Sequence, residues 1–526
     1  MTSQRYPLGQ QDFKTLRERN FKYVDKTQYI EKLINTSDYY FLSRPRRFGK
    51  SLFLSTLYYF FKGRRELFKG LAIECFDWEW AEYPIIRFDL SNGDFSKAFG
   101  LEQRLNEILK RCSEEYGVEI EGETPRAKFN SIIWNLKKKF GRDVVILVDE
   151  YEKPLLDSMH TDHFESYRSE LADFYSVLKD NSPNIRFLFL TGITRFGHLN
   201  IFSGLNNITD ISINPEFSAI CGITQRELVD NFKQGIEELS EYNKWGKERT
   251  LMHLKNYYDG YHFSRISEDI YNPYSILSCL TEKELRSMWI ATGMTKSLFH
   301  LIRNRNWDLT QIDNIKVNAS VLLGVEAEFL SPTTLFYQTG YLTIKGYNSD
   351  SLEYTLGIPN QEVRQSLYEA IIPHYLGKDL ELKQGKLSDL AQLMRTGQAE
   401  GMMVWLQTFF SKVSYETKMR LREDKKQAEK DFQFVTYAIF SQVCDFNRLH
   451  LEYSNSAGRS DLVVETKDYI YIIEFKLGST ARKALDQIEE KGYALPWLAS
   501  GKKVFKIGCT FSVRNKGLLQ FKIATE

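Results

Sequence analysis

The chain has 526 residues, of which 42% are hydrophobic and 14% aromatic, and it carries 70 Lys and Arg against 69 Asp and Glu. This length suggests about three domains, and the apolar content excludes a disordered chain. The near balance of charge excludes a protein that is basic throughout, so any surface that binds nucleic acid has to be local.

Neither a secretion signal nor a disulfide framework is visible in the sequence. The first residues lack a basic stretch followed by an apolar run, and no apolar segment approaches the roughly 18 residues of a membrane span. The six cysteines are scattered without CxxC pairs, which excludes a zinc ribbon and favours reduced thiols. We therefore expect a cytoplasmic protein without a membrane partner.

Residues 1–225 alternate short apolar runs with longer amphipathic stretches. The runs are rich in β-branched and aromatic side chains, as in the strands of a buried parallel sheet. The apolar runs are 39–42, 85–88, 144–148 and 187–190, and helix-like stretches include 52–68, 99–116 and 164–178. Because strands alternate with helices, this part of the chain predicts an α/β domain with a parallel sheet.

A phosphate-binding loop is indicated where the first apolar run ends. In such a loop, backbone N–H groups at a helix start hold phosphate oxygens, a lysine adds positive charge and the next hydroxyl binds Mg²⁺. Arg44 stands where the pattern GxxxxGK[ST] has its first glycine, so the loop departs from the pattern, although its three arginines are themselves candidates to hold phosphate. The candidate ATP-binding residues are Arg44, Pro45, Arg46, Arg47, Phe48, Gly49, Lys50, Ser51 and Leu52.

Two later apolar runs end in polar residues that suit the same site. We expect Asp149 to join Ser51 in holding Mg²⁺, and Glu150 to polarise the attacking water. Thr191 and Arg195 follow the last run and bring a hydroxyl and a cation to the edge where ligands collect in open α/β sheets. Each motif alone is also compatible with an ordinary strand–turn–helix connection. Their order along one sheet, however, predicts nucleotide binding and hydrolysis.

After residue 225 the strand signal fades and helix-like stretches dominate. Residues 226–345 predict a helical lid, and 346–430 a connector region. The connector ends in a stretch, 418–430, whose positive and negative charges nearly cancel, as on a solvated helix. Residues 431–526 predict a second, compact α/β domain.

This last domain contains a candidate metal-dependent nuclease site. Glu474 and Lys476 are two apart on a predicted strand and so share a face, and a hairpin would place Asp461 beside Glu474. Two neighbouring carboxylates repel unless a cation lies between them, which favours Mg²⁺. Lys476 would position the attacking water or stabilise developing charge, with Gln487 and Glu452 as further candidates. A surface cluster of salt bridges is the alternative interpretation.

The combined motifs resemble the bacterial AAA-ATPase-like family. The resemblance rests on residues 44–51, 148–154, 191–195, 201–207 and 258–261. Members usually carry a C-terminal domain of the PD-(D/E)xK nuclease superfamily, and residues 458–461 and 474–476 match its motif. The resemblance implies a P-loop ATPase core, a helical lid and a restriction-endonuclease-like α/β domain, and an arginine at position 44 is usual for the family.

Both sites together predict a protein that binds and hydrolyses ATP and whose end domain cleaves nucleic acid, most simply DNA, under nucleotide control. The alternative is a nucleotide-gated switch or scaffold whose end domain binds without cutting. A third interpretation is a mobile-element or defence protein that works as a homo-oligomer, with Arg195 as the arginine supplied across the subunit contact.

Overall fold

The chain forms two compact units in a computed structural model. The first unit comprises Met1–Gly293 and Asn314–Asn360, and the second comprises Met294–Asp313 and Gln361–Glu526. The described residues are 5–159, 161–194, 207–288, 312–323, 331–376, 384–411, 425–444, 448–455, 458–511 and 520–526. None of the helices among them is both long and apolar enough to cross a bilayer. The predicted division into four segments, at 225, 345 and 430, stays a prediction.

The first unit is built on a parallel sheet of five strands in the order β2-β3-β4-β1-β5. The strands are β1 (Tyr39–Ser43), β2 (Ile85–Asp89), β3 (Val144–Asp149), β4 (Ile185–Gly192) and β5 (Thr209–Asp210). Every residue of β1 and β3 is buried, as expected for strands covered on both faces. The predicted α/β parallel sheet is therefore confirmed, and its four apolar runs are its four long strands.

Two helices precede β1, and the others lie between the strands. They are α1 (Phe13–Glu18), α2 (Gln28–Thr36), α3 (Lys50–Phe61), α4 (Gly100–Tyr116), α5 (Pro125–Phe140), α6 (Lys153–Ser158) and α7 (Phe164–Asp180). The described residues of this part of the chain also include the short 3-10 turns Arg65–Phe68, Ala72–Cys75, Ser182–Asn184 and Pro215–Phe217. The predicted helices at 99–116 and 164–178 are present as α4 and α7.

The predicted helix at 52–68 is wrong in its second half. Helix α3 ends at Phe61, because Gly63 adopts a left-handed φ of 67° and the chain then forms the separate 3-10 turn Arg65–Phe68. A Cβ at Gly63 would lie 2.4 Å from the backbone oxygen of Trp80, so glycine is required there for space as well as for backbone conformation.

The rest of the first unit is mostly helical, with short strands. Its helices are α8 (Gln225–Asn231), α9 (Lys233–Tyr242), α10 (Lys247–Tyr258), α11 (Pro273–Glu282), α12 (Ala319–Leu323) and α13 (Pro332–Thr339). Its strands are β6 (Ile223–Thr224), β7 (Ile270–Tyr271), β8 (Ile315–Val317), β9 (Thr343–Asn348) and β10 (Glu353–Gly357). Strand β6 pairs with β7, and the last three form an antiparallel sheet in the order β8-β10-β9.

The second unit places helices against a mixed sheet. Its helices are α14 (Gln361–Leu376), α15 (Gln384–Arg395), α16 (Ala399–Ser411), α17 (Lys425–Ser441), α18 (Ala481–Glu490) and α19 (Leu495–Leu498). Its strands are β11 (Leu449–Asn455), β12 (Gly458–Glu465), β13 (Tyr469–Leu477), β14 (Lys503–Phe511) and β15 (Gln520–Thr525), which neighbour one another in chain order. Only β13 and β14 pair in parallel, through the crossover that contains α18.

Candidate functional site

A tight loop joins β1 to the start of α3. Its backbone is unusual, because Gly49 has a φ of 95° and Arg47, which is not glycine, has a φ of 67°. Glu150, in the loop after the neighbouring strand β3, has a φ of 54°. Left-handed conformations in residues other than glycine cost on the order of 1–3 kcal/mol and concentrate at functional sites. Two such residues face one cavity here.

That cavity has a volume of roughly 360 Å³ and lies at the N-terminus of α3. Its walls are formed by Gln11, Arg46, Arg47, Gly49, Lys50, Ser51, Leu52, Ser91, Glu150 and Lys153. Four of these side chains are cationic and one is anionic. Together with the N–H groups at the start of α3, this excess of positive charge suits a polyphosphate. The residues present therefore fit the phosphates of ATP.

Lys50 is buried in this cavity wall, with 7% of its surface exposed. Its Nζ donates hydrogen bonds to the backbone oxygens of Arg44 (2.9 Å) and Pro45 (3.0 Å). Burial lowers the pKa of Lys50, and the nearby Asp149 carboxylate acts against that shift. The Lys50 ammonium thus lies inside the loop in which it is expected to bind phosphate.

The two acids after β3 occupy different positions. Asp149 is buried, and its Oδ1 accepts a hydrogen bond of 2.6 Å from the Thr191 hydroxyl at the end of β4. Glu150 lines the cavity itself. Burial, and then the Asp149 carboxylate, raise the pKa of Glu150, while Lys50 lowers it. Thr191 therefore orients Asp149, and Glu150 is the acid that a bound ligand would meet.

Arg44 does not reach the cavity. Only 1% of its surface is exposed, and its guanidinium donates to the backbone oxygens of Ser212 (2.7 Å) and Phe217 (3.0 Å). The guanidinium also lies 4.2 Å from the ring centroid of Phe263. The expectation that Arg44 holds phosphate is therefore corrected, because its guanidinium binds backbone oxygens of the segment from Ser212 to Ser218.

The other predicted residues of this site differ in where the structure places them. Pro45 and Phe48 are buried, and Phe48 packs edge-on against Tyr261 at 4.8 Å between ring centroids. Ser51 and Leu52 line the cavity. Arg195 lies outside the described residues.

Glu152 is a buried acid to which the sequence assigned no role. Its Oε1 accepts hydrogen bonds from the backbone N–H groups of Ile193 and Thr194, and its Oε2 is buried without a hydrogen-bond partner in the described part of the chain. Burial raises the pKa of Glu152 to about 7. A Cβ on Gly192 would lie 2.3 Å from Oε2. Glu152 thus ties the loop after β3 to the loop after β4, and its place three residues after Asp149 was the only signal.

In the second unit, β12 and β13 form the predicted hairpin, with Leu462 opposite Ile473. Next to this pair, the Asp461 backbone N–H donates to Glu474 Oε2 (3.3 Å), and Asp461 Oδ2 accepts from the Phe475 N–H (2.7 Å). Each carboxylate therefore binds the other strand's backbone, which holds the two acids side by side.

Glu474 is the most deeply buried member of this cluster, with 1% of its surface exposed. Its Oε1 accepts hydrogen bonds from Gln487 Nε2 and from Lys476 Nζ, the latter at 3.4 Å. Burial, and then the Asp461 carboxylate, raise its pKa well above the usual range, and Lys476 acts in the opposite direction. A cation between the carboxylates would relieve this repulsion.

Gln487 reaches the acids because α18 packs closely on β14. Strand position Gly508, which pairs with Glu474, lies directly beneath the helix. A Cβ at Gly508 would lie 2.2 Å from the backbone oxygen of Ala481 and 2.4 Å from the backbone nitrogen of Leu485. The absence of a side chain at this one position therefore sets the distance between helix and sheet.

A further acid, Glu429 on α17, approaches the same strand edge. The pairing of β13 with β12 ends at Ile473. Beyond that point, two backbone N–H groups of β13 donate to carboxylates instead of to β12. Phe475 donates to Asp461, and Leu477 donates to Glu429 Oε2 at 3.0 Å. The sequence placed Glu429 in a charged stretch interpreted as solvated, so it was missed. The side chain of Glu452 lies outside the described residues.

Mg²⁺ fits this donor set. It is commonly bound through one or two carboxylates, with water and phosphate oxygens completing the shell. Asp461 and Glu474 supply such a pair, and no group of three or more His, Cys, Asp or Glu within the described ranges is arranged to hold a metal by protein ligands alone. The predicted nuclease residues Asp461, Glu474, Lys476 and Gln487 are thus brought together on one face of the sheet.

Comparison with known proteins identifies both halves of this arrangement. Residues 7–202 match the family model described as predicted AAA-ATPase, and residues 427–518 match that of the PD-(D/E)XK nuclease superfamily. The chain is also 31% identical, over 531 residues and 99% of each chain, to an uncharacterized protein in the vnfD 5' region of Azotobacter chroococcum mcd 1.

Proposed function

Because this chain belongs to the AAA-ATPase-like family that ends in a PD-(D/E)XK nuclease superfamily domain, we propose that it hydrolyses ATP and cleaves nucleic acid with Mg²⁺. We propose DNA as the substrate and nucleotide binding as the control of cleavage. The observation that carries the proposal is the pair of acids, Asp461 and Glu474, held side by side with Lys476 and Gln487 on one sheet face.

At the nucleotide site, the loop residues would hold the phosphates. The backbone N–H groups at the start of α3 and the side chains of Arg46 and Arg47 would contact phosphate oxygens. Lys50 would turn from its two loop carbonyls to the β- and γ-phosphates, and Ser51 and Asp149 would orient the Mg²⁺. Glu150 would take a proton from the attacking water, because it lines the cavity that would hold the phosphates, and burial raises its pKa.

At the nuclease site, Asp461 and Glu474 would hold Mg²⁺, which when bound supplies a water of lowered pKa and neutralises phosphate charge. Gln487 donates to Glu474 Oε1 and so fixes the orientation of that carboxyl group. Lys476 has 31% of its side chain exposed, which lets its ammonium reach a bound phosphodiester and stabilise charge on the leaving oxygen.

Cleavage is tested by incubating the purified protein with plasmid DNA, single-stranded DNA or RNA, with Mg²⁺ and with or without ATP. We expect Glu474→Gln and Lys476→Ala to lose about 10²–10⁴-fold in cleavage rate. Matched controls are Glu489→Gln and Lys483→Ala, which change exposed residues on α18 and are expected to retain activity. Intact nucleic acid in every mixture, with Lys476→Ala indistinguishable from the unchanged protein, would reject a nuclease.

Nucleotide control is tested with Lys50→Ala and Glu150→Gln in the same assays. Lys50→Ala is expected to lose ATP binding and ATP-dependent cleavage, whereas Glu150→Gln is expected to bind ATP without releasing phosphate. Tight ATP binding without phosphate release or cleavage by the unchanged protein would favour the switch or scaffold instead.

A further inference from the structure

Arg47 occupies a left-handed position in the loop between β1 and α3. Its φ of 67° is one that glycine adopts readily and that costs free energy in a residue with a Cβ. The side chain is exposed, and it forms part of the wall of the cavity at the start of α3. We therefore expect the Arg47 side chain to make a contact that offsets the backbone strain.

That contact is with Tyr274, in the first turn of α11. The guanidinium carbon of Arg47 lies over the Tyr274 ring, 4.7 Å from its centroid, which is within the range of a cation–π interaction. The five N–H donors of a guanidinium lie in its own plane, so stacking on a ring does not use them. The contact with Tyr274 is therefore compatible with Arg47 donating hydrogen bonds to a phosphate.

Asn272 fixes the start of α11 relative to the loop, and its side chain is fully buried. Its Oδ1 accepts hydrogen bonds from the backbone N–H groups of Tyr274 (3.0 Å) and Ser275 (3.3 Å). Its Nδ2 donates to the backbone oxygen of Arg46 at 3.5 Å. One side chain thus caps the helix that carries Tyr274 and also binds the residue that precedes Arg47.

Holding Arg47 in place matters because the side chain is long and exposed. An unrestrained arginine samples many rotamers, and ordering it against a ligand costs conformational entropy. A side chain that is already ordered before the ligand arrives avoids part of that cost, so the same hydrogen bonds give a higher affinity. The ring of Tyr274 supplies this ordering without adding a charge of its own to the cavity.

We propose that Tyr274 is a positioning residue for phosphate binding. Its ring holds the Arg47 guanidinium at the cavity wall, where the guanidinium binds the phosphates of the nucleotide. The proposal rests on the proposed nucleotide binding and deepens it, because it gives a residue of α11 a part in a site otherwise built from the sheet and α3. A bound phosphate would thereby be connected to α11 as well as to α3.

The test titrates ATP and, separately, inorganic tripolyphosphate into the full-length protein with Mg²⁺, by calorimetry. Tyr274→Leu removes the ring and is expected to weaken the binding of both probes by about three- to fivefold. Tyr274→Phe restores a ring and is expected to recover most of that affinity. Arg47→Lys keeps the charge without the planar donors and is expected to lose about as much as Tyr274→Leu. The matched control is Tyr242→Leu, at an exposed tyrosine of the same unit that does not line the cavity.

A double-mutant cycle tests whether Tyr274 acts through Arg47. Arg47→Gly suits the left-handed backbone and removes the guanidinium, so adding Tyr274→Leu to it is expected to cause no further loss of affinity. An equal loss from Tyr274→Leu with and without the arginine would assign Tyr274 to the packing of α11 and overturn the proposal. Binding of both probes by Arg47→Lys as tightly as by the unchanged protein would overturn it as well.

Failure of the proposed nucleotide site gives a different result. If neither probe binds the unchanged protein, the nucleotide site itself is wrong, and the role of Tyr274 is rejected with it. If both probes bind and Tyr274→Leu binds them as tightly as the unchanged protein, the phosphate site stands and only the positioning role is rejected.

Discussion

Individual side chains explain why the phosphate loop tolerates an arginine in place of its first glycine. The Arg44 guanidinium turns away from the cavity and binds backbone oxygens of the segment from Ser212 to Ser218. The left-handed residues that the loop needs are Arg47 and Gly49 instead. The motif spacing singled out residues that line the cavity, such as Arg46, Lys50 and Ser51. The direction of the Arg44 side chain could not be predicted in this way, because it depends on a loop more than 160 residues later in the chain.

Glu152 makes the stability of the first unit depend on pH. Its pKa is about 7 in the folded protein against an ordinary value of 4.5, so the folded state holds the proton more tightly than the unfolded chain. The free energy of unfolding therefore falls as the pH rises from about 4.5 to 7, by about 3 kcal/mol for full ionisation.

Glu152→Gln, which cannot ionise, is expected to remove this dependence. It should be more stable than the unchanged protein at pH 8 and differ little at pH 5, as measured by urea unfolding at both values. The exposed Glu165→Gln serves as the control. If the free energy of unfolding changed with pH by the same amount in Glu152→Gln and in the unchanged protein, Glu152 would not be the source of the pH dependence.

At the level of elements, the sequence predicted the strands better than the helix ends and the contacts between elements. Apolar runs bounded by polar residues located all four long strands of the parallel sheet, because burial on both faces leaves little choice of residue type. The hairpin of β12 and β13 followed from its short turn. The position of α18 did not, since it depends on the missing side chain at Gly508, a contact between residues about 25 apart.

Gly508→Ala is expected to separate α18 from β14 and so withdraw Gln487 from Glu474. The added Cβ would meet backbone atoms, which cannot rotate away, at a cost of about 1–3 kcal/mol. We expect nuclease activity to fall by about tenfold or more while ATP hydrolysis is retained.

The matched control is Gly346→Ala, where an added Cβ has no neighbour closer than 4.0 Å. Circular dichroism at the assay temperature separates a shifted helix from an unfolded domain. Full nuclease activity in folded Gly508→Ala would show that the spacing of helix and strand is not critical.

Across the whole molecule, each compact unit contains one complete candidate site. The cavity at the start of α3 is lined entirely by the first unit, and the acids at Asp461 and Glu474 belong to the second. Control of cleavage by nucleotide therefore requires a coupling free energy between the units. Assembly into a homo-oligomer, with Arg195 acting across the contact, stays a prediction.

Hydrogen exchange with and without Mg-ATP measures this coupling. At 100 times the Kd, ATP is expected to stabilise the first unit against opening by about 2.7 kcal/mol, with protection at residues 44–61. Protection at residues 458–477 is expected as well if ATP controls cleavage. Lys50→Ala should lose both effects and Lys69→Ala neither; protection confined to the first unit would remove nucleotide control from the proposal.

The two carbonyl groups that accept hydrogen bonds from the Lys50 ammonium also affect which anions can bind in the loop. An anion entering the loop displaces main-chain oxygens and not merely water, so it gains only the difference between the two interactions. Chloride or sulfate, with few or diffuse charges, gains little from that exchange, whereas a chain of linked phosphates gains several contacts at once. The loop is therefore expected to favour ligands with several linked phosphates over small single anions.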